Sequence, residues 1–108
     1  MGIEQRQAPR KVMRVKANFA VDGARPMVVR SMDVAVSGMA ISSQVQIPTG
    51  MGCFVAFDLY FGGKTYSVAS RAKVMYCIYS AHDGFKVGLQ FQGMDLPSST
   101  AIARFMET

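Results

Sequence analysis

Residues 53–79 read CFVAFDLYFGGKTYSVASRAKVMYCIY, two extended runs on either side of Gly62-Gly63. In the first run Cys53, Val55, Phe57, Leu59 and Phe61 fall on one face, with Asp58 and Tyr60 on the other, the two-residue period of a half-buried strand. The paired glycines can take the positive φ angles that suit tight hairpin turns. In the second run Tyr66, Val68, Ala72, Val74, Tyr76 and Ile78 share an apolar face, and Arg71 and Lys73 lie opposite. The stretch predicts an antiparallel hairpin with one wet side.

The same pattern extends outward in both directions. Upstream, Arg14–Val21 and Met27–Met32 flank the turn signal Asp22-Gly23, and residues 33–43 read as a turn containing Gly38 followed by a short strand, Met39–Ser42. Residues 47–52 form a loop. Downstream, after Asp83-Gly84, an apolar face of Phe85, Val87, Leu89 and Phe91 alternates with Lys86, Gly88, Gln90 and Gln92. The period changes after Pro97, where Ser98/Ser99 offers an N-cap and Ile102, Phe105 and Met106 fall at helical spacing. The predicted fold class is all-β: a six-stranded antiparallel β-barrel with a short C-terminal α-helix, because so small a sheet closes or bends strongly to protect its edges.

With 108 residues and 50% hydrophobic content the chain is sized for one domain. Residues 1–12 carry Pro9 and lack an apolar stripe, so they are expected to be a flexible basic arm, with the barrel spanning 13–108. The charge is uneven. Residues 1–30 hold Arg6, Arg10, Lys11, Arg14, Lys16, Arg25 and Arg30 against Glu4 and Asp22, which accounts for the whole net charge of +5 and marks this segment for an anionic partner. Cys53, Cys77 and His82 stand apart from one another, so no metal site is expected. Neither a nucleophile with its base nor a carboxylate pair can be assembled, which argues against an enzyme. No apolar run is long enough to span a bilayer and the N-terminus lacks a signal-peptide core, so no membrane insertion and a cytoplasmic location are expected.

Two short patterns carry the functional reading. Arg10-Lys11-Val12-Met13-Arg14 is an R-x-x-x-R at the entrance to the first strand, and Arg6-Gln-Ala-Pro-Arg10 repeats it one register earlier. Asp33-Val34-Ala35-Val36-Ser37-Gly38 is D-x-S-x-x-G except that Ala35 stands where serine would be. With their order, their separation and Gly88-Leu-Gln-Phe91 in the last strand, the chain resembles the PilZ domain family along nearly its whole length. That resemblance implies a bacterial second-messenger receptor that binds cyclic di-GMP and signals to another protein. The ligand residues it implies are Arg10, Arg14, Asp33, Ala35, Gly38 and Ser37, with Arg6 in the alternative register.

The chemistry of these types is intelligible on its own. A guanidinium fork pairs with two acceptors at once, which suits both phosphate oxygens and the O6/N7 edge of guanine. A carboxylate such as Asp33 answers the guanine N1–H and N2 amino donors. Gly38 is expected to let the backbone turn and approach the ligand closely. Loss of the hydroxyl at Ala35 is expected to cost about 0.5–1.5 kcal/mol, weakening binding without blocking it. The resemblance also implies that the residue just before the arginine motif affects whether one or two ligand molecules bind; here it is Pro9, which leaves the stoichiometry open. The favoured mechanism is ordering of the arm over the bound dianion.

Two other readings stay open. A basic arm with the strand aromatics Phe54, Tyr60, Tyr66, Tyr76 and Tyr79 could serve single-stranded nucleic acid, although the basic residues gather at one end instead of along a sheet face. Alternatively, Ala35 marks a PilZ-like adaptor that binds only proteins.

Overall fold

The computed structural model describes residues 9–82 and 84–108. It contains strands β1 (Lys11–Val12), β2 (Lys16–Val21), β3 (Met27–Ala35), β4 (Gly38–Ser43), β5 (Gly52–Phe61), β6 (Lys64–Ser80) and β7 (Gly84–Gln92), followed by helix α1 (Leu96–Met106). Sheet order is β1-β3-β2-β5-β6-β7-β4, every pairing is antiparallel, and the β3–β4 pairing closes the sheet on itself. Six strands thus make the expected barrel, and β1 is an addition. It pairs with β3 along the same edge as β2, so the two act as one interrupted strand. The interruption is bridged by buried Ser31, whose hydroxyl accepts from the Val15 amide at 2.9 Å and donates to the Met13 carbonyl. β1 therefore begins inside the segment expected to be the arm.

Alternation fills the barrel as the sequence predicts. Cys53, Val55, Phe57 and Leu59 from β5 meet Val68, Ala72 and Val74 from β6, Val87 and Leu89 from β7, and Phe19 from β2. Each fully buried Val, Leu or Phe contributes about 1.5–3 kcal/mol by leaving water. Helix α1 packs against β5 and β6 and buries Ala101 and Ile102. Its N-cap is Asp95, not the expected Ser98/Ser99: the Asp95 carboxylate accepts from the Ser98 amide at 2.9 Å, with Pro97 in the first turn. Ser98 is buried instead, and its hydroxyl accepts from the Ala69 amide at 3.2 Å. At the other end of α1, Lys11 Nζ donates to the Phe105 carbonyl at 3.2 Å and to the Thr108 carbonyl at 2.6 Å, and lies 4.7 Å from the Phe105 ring centroid. A cation on the last carbonyls of a helix favours its dipole.

Three further departures from expectation shape the outer face. β3 runs on to Ala35 and the turn is only Val36-Ser37, so Asp33 stands in a strand and Gly38 opens β4. Gly38 does not take the positive φ that a turn glycine would; the need for glycine there is that a Cβ would run into the Leu89 carbonyl on the neighbouring strand. In β6 the register shifts between Val74 and Tyr76, leaving Met75 as an extra residue. Beyond that bulge the faces exchange. Tyr76 and Ile78, expected inside, turn outward, and Ile78 is 57% exposed. Cys77 turns in, where its sulfur accepts from the Ile47 amide at 3.4 Å.

Candidate functional site

Directly paired residues on neighbouring strands lie on the same face of a sheet, so the register lays out the outer surface over β3, β4, β7 and β6 in rows. One row is Asp33–Ala40–Gly88–Tyr76. The next, toward the β3–β4 turn, is Ala35–Gly38–Gln90–Lys73. The row on the other side is Arg30–Ser42–Lys86–Ile78. Ala35 and Ala40 are fully buried, yet they stand apart from the interior cluster, as outward residues under cover do. Gly38, Ala40 and Gly88 form a floor of minimal side chains. At Gly88 even a Cβ would collide with the Tyr76 ring, so the aromatic lies across that glycine.

The arm enters over this floor. Pairing of Lys11 with Val34 and of Val12 with Asp33 carries the chain toward the Ala35 end of β3, with Arg10 just before the first pair. Arg10 donates to Asp33 Oδ1 from Nε at 3.0 Å and from Nη2 at 2.7 Å. These hydrogen bonds, with the Asp33 charge, hold the Arg10 guanidinium proton more firmly than usual, against the opposing effect of partial burial. Arg10, Ser37, Gly38, Met75, Tyr76 and Gln90 line a shallow hollow of about 160 Å³. Its aromatic wall and guanidinium, with the Asp33 carboxylate that Arg10 engages beside it, suit a planar base with donor and acceptor edges.

Arg10, Asp33, Ala35, Gly38 and Ser37 are thus brought together, Ser37 through the turn whose carbonyl accepts from the Phe91 amide at 2.9 Å. Arg14 sits in an adjoining hollow of about 200 Å³ with Arg30, Ser31, Met32 and Ser42. Arg6 lies outside the described residues. Sequence reasoning passed over Tyr76 as a site residue because only the bulge at Met75 turns it outward; Gly88 opposite it was the available signal. Basic residues also run along the sheet face, contrary to expectation, because Lys16 pairs with Arg30 and Lys86 follows in the same row.

A larger hollow of about 550 Å³ lies on the β2–β5–β6 face, lined by Lys16, Asn18, Asp58, Tyr60 and Ser67. Asp58 there is engaged by the Ser67 hydroxyl at 3.1 Å, and none of the signature residues borders the hollow, so size alone does not locate the chemistry. Among the described residues no three His, Cys, Asp or Glu side chains gather to hold a metal, and no helix is long and apolar enough to cross a membrane.

By fold the chain is similar to the Bacillus subtilis inhibitor of motility MotI/DgrA, with a TM-score of 0.84 at 14% identity, over 97% of this chain and 51% of that one. It is similar also to the Borreliella burgdorferi PlzA protein, solved in complex with c-di-GMP, with a TM-score of 0.71 at 13% identity over 94% and 41% of the two chains. A third similar fold is the PilZ domain of CeSA from a cellulose-synthesizing bacterium, with a TM-score of 0.59 at 14% identity over 93% and 96%. The chain spans about half the length of MotI/DgrA and less than half of PlzA. No curated protein sequence matches it significantly. The sequence profile of the PilZ domain matches residues 4–108, and the chain therefore belongs to the PilZ domain family.

Proposed function

We propose that the chain is a cyclic di-GMP receptor domain that orders its N-terminal arm on binding and thereby signals to another protein. The observation that carries this reading is the convergence of Arg10 on Asp33 over a floor of Gly38, Ala40 and Gly88, beside Tyr76. A guanine entering beside Tyr76, whose ring covers Gly88, meets the Asp33 carboxylate with its N1–H and N2 donors, while Arg10 moves to phosphate or to the O6/N7 edge. The PlzA structure in complex with c-di-GMP supports the ligand class. Arg10 and Lys11 are adjacent, so an arm that closes on the ligand pulls on the contact between Lys11 and the last turn of α1. That is a route from ligand to surface, since the same few residues hold both ends.

Isothermal titration of the native chain with cyclic di-GMP, beside Arg14→Ala and Asp33→Ala, tests the proposal. Micromolar or tighter binding is expected for the native chain, with a large loss in each variant. Equal heats for all three overturn it. A second reading, an adaptor that binds only proteins, draws on Ala35, which lacks the hydroxyl of the family pattern; it is upheld if the native chain gives no heat at all.

A further inference from the structure

Arg30 belongs to neither signature, yet the fold sets it beside the floor. The register shifts between Ser31 and Asp33, leaving Met32 as the extra residue, so Arg30 and Asp33 are successive outward residues of β3. Without that bulge the two would face opposite sides of the sheet, because side chains alternate. Arg30 is exposed and paired with Ser42, which is paired in turn with Lys86, so the row next to Asp33–Ala40–Gly88 carries two cations around a hydroxyl. Ala40 and Ser42 are two residues apart on β4, which separates the rows by about 7 Å.

Arg14 enters the same hollow from the arm side. Among the described residues the ion pairs are Arg10–Asp33 and Arg71–Asp22, so Arg14, Arg30 and Lys86 have no acidic partner there. Lys16 stands directly opposite Arg30, and like charges in that relation are destabilising. A bound anion relieves that repulsion.

We infer that Arg30, with Ser42 and Lys86 in its row and Arg14 beside it, forms an anion subsite that takes a phosphate diester group of the ligand whose guanine is met by Asp33. The inference rests on the receptor reading above and deepens it: the base is specified at Asp33 and the backbone charge is met one row away. Guanidinium forks match phosphate oxygens two at a time, and Ser42 adds a neutral donor between the cations. A polynucleotide is the weaker occupant, because Asp33 interrupts the basic track after one row.

The test is cyclic di-GMP titration of the native protein, Arg30→Ala, Arg30→Lys, Asp33→Ala and Arg25→Ala, with thermal melting to show that each is folded. Arg25, exposed in the β2–β3 turn, controls for loss of one positive charge. Arg30→Ala is expected to bind about 10- to 100-fold more weakly, Arg30→Lys in between, and Arg25→Ala as the native chain does. If Asp33→Ala loses binding while Arg30→Ala keeps native affinity, the subsite is overturned and the receptor reading stands. If the native chain does not bind, both fall. If Arg30→Ala weakens binding of a single-stranded oligonucleotide but not of cyclic di-GMP, the subsite assignment is likewise overturned.

Discussion

Arg10 reaches Asp33 with two donors, and both converge on one oxygen: Nε at 3.0 Å and Nη2 at 2.7 Å from Oδ1. The ion pair is partly exposed, at 45% for the Arg10 side chain and 22% for Asp33, so water screens it. Exchange of the guanidinium for a guanine edge is correspondingly inexpensive. Asp33→Asn is expected to change stability by less than about 1 kcal/mol, yet to weaken cyclic di-GMP binding about tenfold or more, because the amide keeps one acceptor and sets a donor against one of the guanine's donors. Thermal melts and titration of the same sample check this, and unchanged affinity refutes the assigned role of Asp33.

Ala35 faces outward, opposite Gly38, and is fully buried. Ala35→Ser restores the hydroxyl of the family pattern at a covered position. The expected result is binding tightened by up to about tenfold together with a lower melting temperature for the free protein, where the new hydroxyl is enclosed. Affinity equal to or weaker than native counts against Ala35 lying at the ligand.

Gly88 has no room for a methyl group because of Tyr76. Gly88→Ala is expected to cost about 1–3 kcal/mol through overpacking and to impair ligand binding by displacing the ring. In Gly88→Ala/Tyr76→Ala the clash is absent, so the two losses of stability should fall well short of additive. Additive losses by urea denaturation would show that the ring does not rest on Gly88.

Burial pushes the Cys53 thiol up to about 11 from its ordinary 9.0. The unfolded chain therefore ionises at Cys53 before the native one does. The stability this residue lends is fully present below about pH 9 and declines as pH rises toward about 11. Near pH 10.5 the loss is expected to be about 2 kcal/mol. Comparing urea midpoints with those of Cys53→Ala at about pH 8 and 10.5 isolates it from other groups, and identical pH profiles would sink the expectation.

The barrel was legible where burial imposes a two-residue period, as in Cys53–Phe61, and in Phe85–Phe91 from the apolar spacing alone, since the outward Gly88 is buried there too. Asp33 and Gly38 could be singled out by the D-x-S-x-x-G spacing they nearly complete, but the turn expected around them shrank to Val36-Ser37. What escaped was set by register. Nothing in Val74-Met75-Tyr76 announces that one residue will be left unpaired, and that event decides whether Tyr76 or Cys77 meets solvent. Arg30 was passed over for the same reason, since its place beside Asp33 depends on the irregularity at Met32. The helix cap moved to Asp95 because Ser98 was wanted elsewhere, at the Ala69 backbone.

The unpaired Met75 makes β6 a strand that carries its own frameshift. Were Met75 instead paired in regular register, Tyr76 and Ile78 would fall in phase with Val74, withdrawing the ring from the surface and turning Cys77 outward, while the hairpin at Gly62-Gly63 stayed intact; deleting Met75 would leave Tyr76 opposite Gly88 and still outward. The number of residues between two strand pairings, and not their types, thus chooses which side chain of β6 walls the hollow beside Arg10.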